Sequence, residues 1–243
     1  MVVAFSFVVF FFAGLAKGVL GMGLPTIAIG LLVLAMTPGE ASALLLIPSL
    51  ITNLWQLLRG PALLPLLTRL WPMLLALTLG TLLTTRWLVQ AQNAWVGVAL
   101  GVCLVVYGSI GLLAYRPRLP TRGETLHSSL AGFLTGVVTG ATGVFVIPAV
   151  PYLQALGLPR DSLIQALGLS FTVSTLALGA GLWWYGGLEG AEMGWSWLML
   201  LPALLGLEIG QRLRQRLSEA SFRRLFFIGL LLLGLHALLR AAL

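Results

Sequence analysis

A single lysine, Lys17, stands in "GLAKGVLGMGLP" (14–25), a Gly-rich run inside a long apolar stretch. An ionisable group in such a stretch is a functional candidate by default. Its ammonium can serve as counter-charge to an anion, or it can snorkel to an interface. A second Gly-rich run, "GFLTGVVTGATGVFVIP" (132–148), carries Thr135 where the first carries Lys17, so any charge is one-sided. The hydroxyls of Thr26, Thr139 and Thr142 can donate to the oxygens of an oxyanion or bond back to their own helix. Gly21, Gly23, Gly140 and Gly143 let a ligand approach bare backbone.

Further polar residues sit in otherwise apolar segments. Ser49, Thr52, Asn53 and Gln56 are spaced to share one helical face. Ser170, Thr172, Ser174 and Thr175, with Gln165 upstream, are the later parallel. Such a face turns away from lipid, to line a pathway or to join helices. Of these, Ser49, Asn53, Ser170 and Ser174 join Lys17 and the glycine and threonine positions above as the substrate-binding set. Glu208 can carry a coupling proton if buried; an i,i+4 pair with Arg212 is the favoured alternative. Glu40 and Asp161 follow prolines at helix starts, where capping and dipole pairing account for them. No HExxH, no GxSxG and no paired intramembrane aspartates occur, which argues against an enzyme. No metal site or cofactor is implied, and Cys103 has no partner cysteine.

The elements that hold these residues are membrane segments. Of 243 residues, 59% are hydrophobic and 9% charged, and apolar runs long enough to span a bilayer recur throughout. The net charge of +7 comes mostly from arginines in short loops, which orient a chain in the bilayer and do not point to nucleic acid. Eight segments fall near 1–37, 41–58, 62–85, 94–115, 128–157, 163–185, 193–211 and 225–243. They are too long and too uniformly apolar for barrel strands, so the fold class is all-α, a polytopic membrane protein. The N-terminal run reads as a retained span, lacking a basic leader region.

Segments one and five are each longer than one span and are interrupted by Gly and Pro. Gly14 and Gly18 correspond to Gly132 and Gly136, and Pro38, Glu40 and Ser49 to Pro159, Asp161 and Ser170. The chain therefore divides into repeats 1–120 and 121–243, joined through 116–127. If segments one and five are hairpins, Arg116, Arg118, Arg122 and the arginines of 212–224 share the cytoplasmic side, Glu189 and Glu192 lie outside, and the halves are inverted. Both chain ends then lie outside. Paired broken segments are the best sequence pointer to a transporter's substrate site, here with both breaks meeting near mid-membrane. For Gly14/Gly18 and Gly132/Gly136, close helix packing is an equal alternative.

The twin runs resemble those of the sulfite exporter TauE/SafE family, also called the 4-toluene sulfonate uptake permease family. Its Gly-x-x-x-Gly-x-x-Gly-x-Gly-Gly-Gly pattern, followed by proline, occurs once in each half. Gly14, Gly18, Gly21 and Gly23 match, then Gly132, Gly136, Gly140 and Gly143, with Pro148. The triple glycine is thinned to "GMGLP" and "GATGVFVIP". The resemblance covers essentially the whole chain. It implies a secondary transporter, often an exporter, of a small sulfur-containing or organic anion in the bacterial inner membrane. A channel on the same scaffold is the alternative, and a homodimer is left open.

Overall fold

Backbone polar groups in hydrocarbon must find partners within the protein, and long Leu/Ala/Val runs meet that need as helices. The computed structural model describes residues 2–90, 94–113, 123–188, 190–214, 216 and 218–242. Within them lie ten helices: α1 (Val2–Leu20), α2 (Leu24–Leu32), α3 (Pro38–Leu58), α4 (Leu63–Val89), α5 (Ala94–Leu112), α6 (Glu124–Thr142), α7 (Ala149–Ala155), α8 (Arg160–Trp184), α9 (Gly190–Leu213) and α10 (Glu219–Ala242). No strand occurs among the described residues. Seven helices, all but α2, α6 and α7, are long and apolar enough to cross a membrane. The expected linker arginines Arg116, Arg118 and Arg122, and Glu189, lie outside the described residues.

The first and fifth segments are broken, as their glycines and prolines predict. At the first break Gly21 and Gly23 adopt left-handed φ values of 77° and 107°, which a Cβ disfavours. Gly143 ends α6 in the same way, with φ 75°. Several helices begin before their apolar runs. α3 starts at Pro38 with a capping box: the Glu40 N–H donates to Thr37 Oγ1, and the Thr37 N–H donates to the Glu40 carboxylate at 2.7 Å. The capping role read for Glu40 is thus observed. α10 starts at Glu219, several residues before its apolar stretch. Hydropathy does not register such polar first turns.

Glycines set the closest helix contacts. A Cβ on Gly14 would overlap the Ala203 carbonyl, and one on Gly18 the Leu207 carbonyl. On the facing helix, a Cβ on Gly206 would strike Phe11, and one on Gly210 would strike Leu15. Thus α1 and α9 pack glycine to glycine, running parallel. The pair α4 and α6 repeats the arrangement, with Gly132 on Met73, Gly136 on Leu77 and Gly80 on Phe133. Close packing therefore accounts for these GxxxG motifs. By contrast α3 and α8 run antiparallel, since Ser49 meets Thr175 and Gly168 meets Leu57. So do α5 and α10, where Gly101 meets Leu238 and Gly108 meets Leu231. Pro72 in α4 and Pro202 in α9 both sit one residue before the contact to a glycine of the partner helix, Met73 on Gly132 and Ala203 on Gly14.

A third proline, Pro48, interrupts α3. It has no N–H to give the Leu44 carbonyl. Ser196 of α9 supplies the missing donor, its hydroxyl giving to Leu44 O at 2.8 Å and accepting from the Ile47 N–H at 3.1 Å. This one side chain mends α3 and ties it to α9.

Two outcomes follow for stability in detergent. Gly18→Leu forces α1 off α9 and costs about 2 kcal/mol or more, seen as a lowered Tm, whereas Gly97→Leu, which meets nothing within 4 Å, leaves Tm unchanged. Ser196→Ala leaves the Leu44 carbonyl unpartnered and costs about 1–3 kcal/mol in the same assay.

Candidate functional site

Lys17 lies one turn before the first break, on a helix face turned inward, and is only 3% exposed. α3 presents the face predicted from Ser49, Thr52, Asn53 and Gln56. Lys17 Nζ donates to Thr52 Oγ1 at 3.0 Å and to Asn53 Oδ1. Thr52 can accept because its own hydrogen goes to the Pro48 carbonyl at 2.7 Å. Asn53 is oriented by its amide NH2, which donates to Ser49 Oγ at 3.0 Å, and Ser49 Oγ lies 3.1 Å from Thr175 Oγ1 of α8. A polar chain, Lys17–Asn53–Ser49–Thr175, thus crosses three helices.

Two glutamines tie this end together, Gln56 at the break and Gln165 at the α3–α4 turn. Gln56 Nε2 donates to the Gly21 carbonyl at 3.0 Å and to the Ile164 carbonyl at 2.8 Å. Gln165 is fully enclosed and closes the α3–α4 turn. Its Nε2 donates to Leu57 O and Gly60 O, and its Oε1 accepts from the Ala62 N–H at 2.7 Å.

Above these groups opens a cavity of about 690 Å³, floored by Lys17, Gly18, Gly21 and Thr52. Its mouth carries Arg59, Arg160, Asp161 and Arg214. Arg59 lies 4.0 Å over the Trp55 ring, a cation–π contact that holds the guanidinium at the wall. Four cationic groups against one carboxylate make a site for an anion. All the lining comes from one end of the bundle: the ends of α1, α3 and α9 and the start of α8.

The other predicted residues lie elsewhere. Gly143 approaches Ile29 and Ser42, near the start of α3, whereas Gly21 meets Gln56 near its end. Ser42 and Gln56 are fourteen residues apart, about 21 Å along a helix. The breaks therefore do not meet at mid-membrane. The reason is length and direction: α1 and α6 each run 19 residues, about 28 Å or nearly a whole hydrocarbon thickness, and in opposite senses. Thr139 and Thr142 bond back to Thr135 O and Val138 O, both at 2.7 Å. Gly140 packs against Thr81 and Thr84 of α4, and Gly23 against Phe226. The hydroxyls of Thr26, Ser170 and Ser174 are buried without a hydrogen-bond partner. Glu208 is exposed and pairs with Arg212 at 2.9 Å, while its neighbours Leu207 and Gln211 face the cavity.

The structure thus gathers Lys17 and Gly21 at the cavity, with Asn53 and Ser49 directly beneath. Thr52 and Gln56 are legible in the sequence as part of the polar face, and Arg214 only as an orientation signal. The sequence model of the family described as sulfite exporter TauE/SafE matches residues 6–237, nearly the whole chain. The chain belongs to the sulfite exporter TauE/SafE family. No curated protein and no solved structure matches it. Membership of TauE/SafE makes it a membrane transporter in kind, consistent with its seven candidate spans.

The Lys17–Asn53 contact has a measurable consequence. Asn53→Leu removes an acceptor from the buried Lys17 amino group and destabilises by about 1–3 kcal/mol. Adding Lys17→Met to that variant recovers most of the loss, as a double-mutant cycle in detergent melts will read.

Proposed function

We propose that this TauE/SafE member is a secondary transporter, in the exporting direction, of a small sulfur-containing or organic anion such as sulfite or a sulfonate. Its substrate sits in the cavity at Lys17, and transport across the inner membrane of a bacterium is coupled to movement of a proton or another ion. The observation that carries the reading is the buried amino group of Lys17 at the floor of a cavity ringed by Arg59, Arg160 and Arg214. The lining comes from one end of the bundle, which favours alternating access over a channel open at both ends.

The helix directions support two inverted repeats, 1–120 and 121–243. Equivalent helices α3 and α8 run antiparallel, as do α5 and α10, while α1 on α9 answers α6 on α4. The end of the bundle with the cavity holds Arg59, Arg160, Arg212, Arg214, Arg216, Arg223 and Arg224. The opposite end has Arg86 and Arg240. The positive-inside tendency assigns the cavity to the cytoplasmic face and both chain ends to the outside. Substrate then enters from the cytoplasm, as export requires. Ser49 and Asn53 belong to the site through Lys17. Gly23, Thr26, Thr139, Gly140, Thr142, Gly143, Ser170, Ser174 and Glu208 fall outside the cavity and are not assigned to this inward-facing site.

In proteoliposomes, Arg59→Gln with Arg214→Gln weakens uptake of labelled sulfite at least tenfold in KM, and more at low than at high salt. Glu208→Gln leaves KM and rate unchanged. Sulfite flux indifferent to the two arginine changes contradicts the site. A phosphatase fused to the C-terminus is active in cells; an inactive fusion contradicts the orientation.

A further inference from the structure

We propose that Lys17 carries the coupled proton, one proton crossing with each anion. The inference rests on the reading of the cavity as the anion site.

Lys17 has two hydrogen-bond acceptors, Thr52 Oγ1 and Asn53 Oδ1, and both are neutral. Two acceptors satisfy the two N–H groups of an amine completely. An ammonium has a third, and that one has only the cavity to face, since Lys17 forms part of its floor. The charged groups around it are known from each neighbouring element. α3 contributes Arg59, α8 contributes Arg160 and Asp161, and the end of α9 contributes Arg214. α2 has no titratable residue, and α10 meets the break through Phe226 on Gly23. Among the described residues of the lining the one carboxylate, Asp161, is exposed at the mouth, whereas Lys17 is buried. Among the described residues no carboxylate bonds the ammonium.

A buried charge without a counter-charge is costly, and Arg59 and Arg214 at the mouth add repulsion. A bound anion removes the cost. With the anion gone, the amine keeps both of its hydrogen bonds and the proton leaves to water at the open face. The loaded form is then an ammonium with a monoanion, net neutral. The empty form is an amine, also neutral. Each cycle moves one proton and one monoanion in the same direction, with no net charge. One pH unit across the membrane then balances about a tenfold anion ratio, so the transporter exports when the internal anion excess is larger than that. Glu208, exposed and paired with Arg212, has no part in this step.

An arginine at position 17 tests it, because a guanidinium keeps its charge and does not give up its proton. The probe is labelled methanesulfonate, whose charge does not change near neutral pH, with labelled sulfite run in parallel. Wild-type protein in liposomes exchanges probe across the membrane, and an alkaline-inside step of one pH unit accumulates it several-fold. Under a valinomycin-clamped potential that accumulation is unchanged, and an outward anion gradient acidifies the side it enters. Lys17→Arg lowers exchange but keeps it above the level of Lys17→Met, and loses accumulation driven by pH. Lys17→Met loses exchange more than tenfold. Lys17→Arg that still accumulates probe under a pH gradient overturns the proposal. So does wild-type flux driven by potential without proton movement, which decides the matter even if Lys17→Arg fails to fold. Absence of wild-type exchange for either anion overturns the transport reading itself.

Discussion

A carbonyl or amide left without a partner inside a bilayer costs more than a single packing contact returns. This chain interrupts its helices and answers several of the interruptions with a side chain from another helix. Gln56 takes the Gly21 carbonyl at the first break, Ser196 the Leu44 carbonyl freed by Pro48, and Gln165 three groups of the α3–α4 turn. Thr84 gives a further bond to Val137 O at 3.1 Å, joining α4 to α6. Each of these four side chains also ties one helix to another. The groups that keep the backbone satisfied therefore fix the walls of the cavity, and Gln56 holds the break against α8 at the spot where the anion is proposed to enter.

The second determinant is how close helices come. Where glycines face backbone, α1 lies on α9 and α6 on α4 with no side chain between them. These contacts set the directions of the helices and separate the two breaks to opposite ends of α3. Lys17 on one side and Thr135 on the other then give the two ends different chemistry: a charged pocket at the arginine-rich end, and a threonine that bonds back to Ala131 O at the opposite break.

The fold was largely legible because its signals are strong and local. Apolar runs gave the segments, and Gly21, Gly23 and Gly143 gave the breaks. The polar face of α3 was readable from spacing alone. What spacing does not carry is depth. Nothing in the runs 14–25 and 132–148 says that each follows a complete span, so the two appeared able to meet, and Thr139, Gly140 and Thr142 were grouped with Lys17. Nor does composition reveal that Gly206 and Gly210 are the partners of Gly14 and Gly18. Arg214 reads as a topology marker because a loop arginine has that meaning by default, and only the three-dimensional arrangement brings it and Arg59 over Lys17. Glu208 needed its exposure to be known before the surface pair with Arg212 could be preferred outright.

The central claim is that an anion sits on the Lys17 ammonium. Selenite, the heavier analogue of sulfite, makes this directly visible by anomalous scattering from crystals of the protein soaked with it. The account predicts a selenium peak within hydrogen-bonding reach of Lys17 Nζ, lost in crystals grown with excess sulfite. A peak at the second break near Gly143 and Ser42, with none at Lys17, would contradict it.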